Sequence, residues 1–223
     1  MEKRKILFGT YDTAEKGWTL TGWQLTAPEM KTNYIDKPGG DGAWDLSTAL
    51  TDGLPRYSDR QLTATFECSE GDRLSREATI REMVNLLDGL PNNIILPDDN
   101  SHYIVGRRLH VARDYNDPAH AAITVTAICD PWKYANTEII HTKTATTAEQ
   151  SWVMTNSGRR AVVPMLTVTG TNASIKLTYG MSSLTLSAGT YQWPELLLTP
   201  GLHSLRYSGT GTLKVTYREA VLE

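Results

Sequence analysis

The sequence predicts a mainly-β chain in two domains, the first carrying one helix and the second entirely β. Three observations carry this. Threonine, a strand-favouring β-branched residue, occurs 29 times in 223 residues. Seventeen glycines and ten prolines punctuate the chain at the spacing of turns. Only one stretch, 74–88, repeats its apolar residues with the period of a helix.

In the first domain, Gln61 to Ser69 alternates, with Leu62, Ala64, Phe66 and Cys68 on one face and Thr63, Thr65 and Glu67 on the other. That is a half-buried strand. Residues 74–88 place Ile80, Met83, Val84 and Leu87 at helical spacing. Asp72 or Ser75 caps the start by accepting from unpaired amides, Gly89 suits a left-handed exit, and Pro91 blocks continuation. Asn93 to Leu96 and His102 to Ala112 flank Pro97-Asp98-Asp99-Asn100, which is turn chemistry, so they form a hairpin. Ala121, Ile123, Val125, Ala127 and Cys129 mark one face of a further strand. Residues 26–60 have little periodicity and hold Pro28, Gly39, Gly40, Gly42, Gly53 and Pro55. A long aperiodic segment in a compact domain is uncommon unless it reaches out to a partner.

The second domain shows alternating runs at Leu166 and Val168; at Ile175, Leu177 and Tyr179; at Leu184, Leu186 and Ala188; at Leu205 and Tyr207; and at Leu213, Val215 and Tyr217. Turn signals fall between them at Gly170-Thr171-Asn172, Gly180, Gly189, Pro200-Gly201 and Ser208-Gly209-Thr210-Gly211-Thr212. Short strands at this spacing predict a sandwich or jelly roll.

Charge divides the chain where the architecture does. Residues 1–136 carry 15 basic and 20 acidic residues, whereas 137–223 carry 7 and 5 and hold 16 of the threonines. The expected domains are therefore 1–136 and 137–223. His141 to Gln150 reads as a linker or as an exposed first strand.

Composition also excludes several functions. Hydrophobic residues make up 40% and charged residues 21%, which is ordinary for a folded chain and excludes disorder as the main state. The net charge of −3 lacks the basic excess of a phosphate-tracking protein, so nucleic-acid readout is not expected. No apolar run approaches the ~18 residues that cross a bilayer. After the basic head only Ile6-Leu7-Phe8 follows, short of the ~7–15 apolar residues of a secretory signal. The expectation is cytoplasmic synthesis and no membrane partner.

Candidate chemistry is sparse. Cys68 and Cys129 lie far apart, each on the apolar face of a strand, and read as inert buried thiols. His102, His110, His120, His141 and His203 form no ligand pair, so no metal and no cofactor are expected. Asp98 and Asp99 are explained by their turn. No GxSxG surrounds a serine, and 208–212 is Gly-rich between strands rather than ahead of a helix, so it reads as a hairpin turn. No catalytic residue is assigned. The six tryptophans, Trp18, Trp23, Trp44, Trp132, Trp152 and Trp193, are suited to interfaces or sugar faces as well as to cores. Gly39-Gly40-Asp41-Gly42 ahead of Trp44 is a flexible turn before an aromatic anchor.

Over 39–68 and 94–134 the chain resembles the distal tail protein of long-tailed, non-contractile phages and their prophages. The residues that carry the resemblance are GGDGAWDLS (Gly39 to Ser47), PRYSDR (Pro55 to Arg60) leading into LTATFEC (Leu62 to Cys68), the helix with ILPDD (Ile95 to Asp99), YIVGRRLHV (Tyr103 to Val111) and CDPWKY (Cys129 to Tyr134). The resemblance implies an N-terminal β-sandwich with one helix and an extended hairpin. It also implies a C-terminal galectin-like sandwich that points outward. It implies a ring of six copies, single or doubled, at the virion tail tip. That ring joins the tail tube and tape-measure proteins to a tail-associated lysin, fibre or receptor-binding apparatus in host attachment. The C-terminal part departs from galectins: His203-Ser204-Leu205-Arg206 lacks their alternating His, Asn, Arg run, so sugar binding is not carried over.

Three functions follow for comparison. The first is a self-assembling structural hub, with Trp44 anchoring the 26–60 arm on a neighbour and Arg56, Tyr57, Asp59 and Arg60 offering contacts across the same seam. The second is a carbohydrate-binding module, for which Trp152, Tyr191 and Trp193 are the candidate sugar-facing aromatics. The third, a wall hydrolase, lacks any acid–base pair.

Overall fold

The computed structural model describes residues 4–51, 53–68, 71–114 and 121–223. Ser69 at the end of the predicted strand, and His120, lie outside the described residues. Two compact units divide the chain, the first ending at Lys133 and the second running Tyr134–Glu223. Both are built from curled antiparallel sheets, so the mainly-β expectation holds.

In the first unit the strands are β1 (Leu7–Phe8), β2 (Tyr11–Asp12), β3 (Thr19–Leu25), β4 (Tyr34–Asp36), β5 (Ala43–Asp45) and β6 (Arg60–Cys68). Helix α1 (Arg73–Leu87) follows, then β7 (Asn92–Leu96), β8 (Asp99–Asp114) and β9 (Ala121–Ala135). The main sheet runs β2-β1-β7-β8-β9-β6-β3, while β4 and β5 form a separate two-stranded ribbon. Alternation sets the buried face: Leu62, Ala64 and Phe66 of β6 pair directly with Ala127, Val125 and Ile123 of β9, and all six are buried. Phe8 and Trp18 approach the Phe66 ring edge-on at 6.3 and 6.5 Å. The helix begins as predicted: the Asp72 carboxylate accepts from the Ser75 N–H at 2.8 Å, and hydrogen bonding from the Ser75 side chain, together with this N–H, holds that carboxyl below its usual range. Ile80, Met83 and Leu87 are buried in the same core. The predicted hairpin closes with Leu96 opposite Asp99, leaving Pro97-Asp98 as the turn. Near its start β3 carries a bulge between Leu20 and Gly22, where the Thr21 hydroxyl donates to the Thr65 carbonyl at 3.1 Å.

The second unit adds β10 (Ile139–Ala145), β11 (Gln150–Asn156), β12 (Met165–Tyr179), β13 (Ser182–Ser187), β14 (Gly189–Gln192), β15 (Gly201–Tyr217) and β16 (Ala220–Val221). Of the two readings of His141 to Gln150, the strand is the one realised over His141–Ala145. The register divides the sheet into two four-stranded halves. The start of β12 and the end of β15 pair with β14 and β10; the end of β12 and the start of β15 pair with β13 and β11. One apolar cluster, including Leu166, Ile175, Leu186, Leu205, Leu213 and Val215, serves both halves.

This arrangement corrects two sequence expectations. Gly170-Thr171-Asn172 and Ser208 to Thr212 are not hairpin turns but corners inside single long strands. Thr169 pairs with Thr212 and Ser174 with Thr210, so four residues of β12 oppose Gly211 alone. Gly209 and Gly211 have φ of +130° and +113°. A Cβ on Gly209 would lie 2.0 Å from the Ser174 carbonyl oxygen, and one on Gly211 would lie 2.8 Å from that of Thr169. Glycine interrupts alternation equally in a turn and in a corner, so composition alone does not separate them.

Gly209→Ala is therefore expected to destabilise the second unit by about 3 kcal/mol or more, combining strain with backbone overlap. Gly201→Ala, at positive φ but with nothing within 4 Å of its Cβ, pays only the conformational part. Equal losses for the two in urea denaturation would refute backbone crowding at the corner.

Candidate assembly interface

The ladder between β3 and β6 does not stop where the strands end. The Thr26 N–H donates to the Gln61 carbonyl, Ser58 N–H to Glu29 and Lys31 N–H to Arg56, with Met30 bridging Tyr57. Leu46 N–H then donates to Asn33, and the β4–β5 ribbon follows with Tyr34 opposite Asp45, Ile35 opposite Trp44 and Asp36 opposite Ala43. The 26–60 segment is thus an extended hairpin. Gly39 and Gly42, at φ +72° and +75°, turn the chain between β4 and β5.

Between Thr26 and Asp59 no described residue is buried. The segment nevertheless carries large apolar side chains: Met30, Tyr34, Ile35, Trp44, Leu46 and Leu50 are all exposed, Trp44 at 52% and Leu50 at 98%. The sequence reading treated this stretch as aperiodic and singled out only Trp44 among these. Ile35 and Trp44 face each other across the ribbon. A two-stranded ribbon without a covered face is marginal in water, and contiguous exposed apolar surface marks a contact site.

The other expected contact residues divide. Arg56 is exposed at the base of the arm. Tyr57 is half-buried and packs edge-on against Trp132 at 5.4 Å. Asp59 is exposed and joined to Arg107, whose guanidinium also donates to Asp130 at 2.6 Å. Arg60 is a correction. It is 2% exposed and its Nε donates to the Thr26 carbonyl at 2.7 Å, so it secures the root of the arm rather than reaching a neighbour. The alternation that buries Leu62 and Ala64 extends back to Arg60, and that was the signal available in the sequence.

The sugar-facing expectation is also corrected. Trp152 and Trp193 are 7% and 6% exposed and belong to the core of the second unit. Trp152 contacts His141 and Tyr207 edge-on, and Lys143 lies over its ring. Tyr191 is half-buried, with its hydroxyl 3.1 Å from that of Ser187. The three present no exposed aromatic row.

The remaining candidates have local partners. His102 and the Ser101 hydroxyl meet Asp99; burial raises that carboxyl, and hydrogen bonds from Ser101 and His102 more than offset this and hold it low. Asp98 lies 3.9 Å from Arg4 on the surface. His110 pairs with Asp88, and His203 lies between the Tyr179 hydroxyl and the Thr199 carbonyl. Cys68 and Cys129 are buried. Among the described residues no three metal-ligating side chains converge.

No protein-family model matches the chain, and no curated protein matches its sequence. In fold it is similar to the SPP1 Dit (gp 19.1) protein, whose crystal structure is described as a paradigm of the hub adsorption apparatus in phages infecting Gram-positive bacteria. The TM-score is 0.67 at 15% identity, over 97% of this chain and 99% of that one. The likeness is one of fold and extends over nearly the whole of both.

Burial pushes the Cys129 thiol up to about 12, so the reactive thiolate is scarce at mildly alkaline pH. Iodoacetamide is expected to leave Cys129 unmodified in native protein and to label it in urea; rapid native labelling seen by peptide mass mapping would contradict its burial.

Proposed function

We propose that the chain is a structural hub of a phage tail tip, in which copies close head to tail into a six-membered ring. The observation that carries this is the arm: an extended hairpin rooted in the sheet and tipped with uncovered Ile35 and Trp44. Closure into a ring requires a patch on each copy that meets a different patch on the next, and a projecting ribbon has that form. The fold likeness to a phage hub adsorption protein over nearly both full lengths supports the same reading. In this role the ring joins the tail tube and tape-measure proteins on one side to a tail-associated lysin or fibre on the other. The role assigns the chain no catalysis and no cofactor. Residues 1–136 form the ring and 137–223 face outward.

The test separates assembly from folding. A large aromatic buried at an interface contributes about 2 kcal/mol or more, so Trp44→Ala is expected to yield folded, soluble monomer where the unaltered chain gives rings. Mass photometry beside circular dichroism reads both. An intact hexamer from the variant removes Trp44 as the anchor, and a monomeric parent chain at tens of micromolar removes the ring.

A further inference from the structure

We infer that Asp41–Gly42, at the tip of the β4–β5 ribbon, is a site of spontaneous backbone isomerisation, at which aspartate passes through a cyclic imide to isoaspartate. The reaction joins an aspartate carboxyl to the backbone nitrogen of the residue that follows. A glycine in that place leaves the approach open, because it has no Cβ. The chain has three Asp–Gly pairs, at 41–42, 52–53 and 88–89. Asp52 lies outside the described residues, and the other two pairs have opposite surroundings.

At 88–89 both reacting groups are held. The Asp88 carboxylate accepts from the Val111 N–H at 3.0 Å and lies 2.9 Å from His110 Nδ1. Those bonds, the one from Val111 foremost, keep the carboxyl below its usual range and so in the ionised form, which is the poorer electrophile. The Gly89 N–H donates to the Leu109 carbonyl at 2.8 Å, and the Asp88 N–H to that of Val84 at 2.9 Å. Closing a ring there would break this set of contacts.

At 41–42 neither group is held. Both residues are exposed. Among the described residues neither the Asp41 carboxylate nor the Gly42 N–H makes a hydrogen bond. The loop is closed by the Lys37 N–H donating to the Gly42 carbonyl at 3.3 Å and the Gly40 N–H to the Lys37 carbonyl at 3.2 Å, which leaves both reacting groups free. Glycines at 39, 40 and 42 put no side chain in the way, and the space a Cβ would take on Gly42 is empty out to 4 Å.

In the first step the Gly42 nitrogen bonds to Asp41 Cγ. Its proton departs with the carboxyl hydroxyl as water, closing a five-membered imide. Water then adds back to one of the two imide carbonyls. Attack at Cγ restores aspartate; attack at the main-chain carbon gives isoaspartate. No oxidant or reductant is consumed, and the product has the mass of the starting chain. Its backbone runs through Cβ and Cγ and is one carbon longer. The turn that sets Asp36 opposite Ala43, and with it Ile35 opposite Trp44, is then closed by a longer loop.

The full chain is held as monomer in warm neutral buffer, and Trp44→Ala serves as the monomer if the parent forms rings, so failure of the hub reading does not decide this one. Samples are digested with endoproteinase Asp-N, which cuts before aspartate and not before isoaspartate. The cut between Gly40 and Asp41 is expected to be lost with time, leaving an undivided 36–44 peptide of unchanged mass, while the cut before Asp88 persists. In urea both cuts are expected to be lost alike. Isoaspartyl methyltransferase is expected to label the 36–44 peptide of the aged chain and not that of Asp41→Glu. A Gly40–Asp41 cut that survives in native protein, equal loss before Asp88 in native protein, or an equally labelled Asp41→Glu peptide overturns the inference.

Discussion

The backbones of β12 and β15 pass so closely at their shared corner that no side chain fits between them. Gly209 and Gly211 leave room where a Cβ would overlap a carbonyl oxygen, and that room lets two long strands bend together. Each half of the second unit's sheet is pinned to this pair of strands, because β10, β11, β13 and β14 bond to nothing else within it. A residue with a side chain at the crossing would push the strands apart and open the single core that both halves cover. The packing of Leu166, Leu186 and Leu213 therefore depends on two positions that bury no side chain of their own.

The same corner explains where the sequence was legible. On β15 the buried positions are Leu205 and Tyr207 before the bend and Leu213, Val215 and Tyr217 after it, so the phase of alternation is unbroken. That continuity belongs to one strand, yet the glycines at 209 and 211 led the sequence reading to place a hairpin turn there. On β12 the phase shifts from Leu166 and Val168 to Ala173, Ile175 and Leu177, and such a shift looks like a loop. The β6 strand and the helix were legible because each buries one face inside its own unit. The tryptophans were not, since local pattern does not say what covers a side chain. Trp152 and Trp193 are core while Trp44 is exposed, and only tertiary pairing separates them. Arg60 was misassigned because a charged residue was taken as a surface residue, although its place in the alternation was inward.

The arm combines features that rarely coexist in a self-sufficient domain. It has two paired stretches of backbone hydrogen bonds, separated on one side by the turns of 47–55, and exposed apolar side chains, but no core. Backbone pairing fixes its path without burying the side chains, so the hydrophobic contribution is left to whatever covers them. Its root, by contrast, is firmly held. Arg60 bonds to Thr26, Tyr57 packs on Trp132, and Arg107 ties Asp59 to Asp130. Rigidity at the base lowers the entropy lost when the tip is covered.

Because the arm prolongs the β3–β6 ladder, its direction is inherited from the twist of those two strands. The bulge at Thr21 lies on that path, and bulges sharpen local twist. A small rotation there is magnified along the hairpin into a displacement of Trp44. The angle at which any partner meets the ribbon is thereby written into one irregular residue pair near the far end of β3. Changing that pair would redirect the arm while leaving every exposed side chain on it in place.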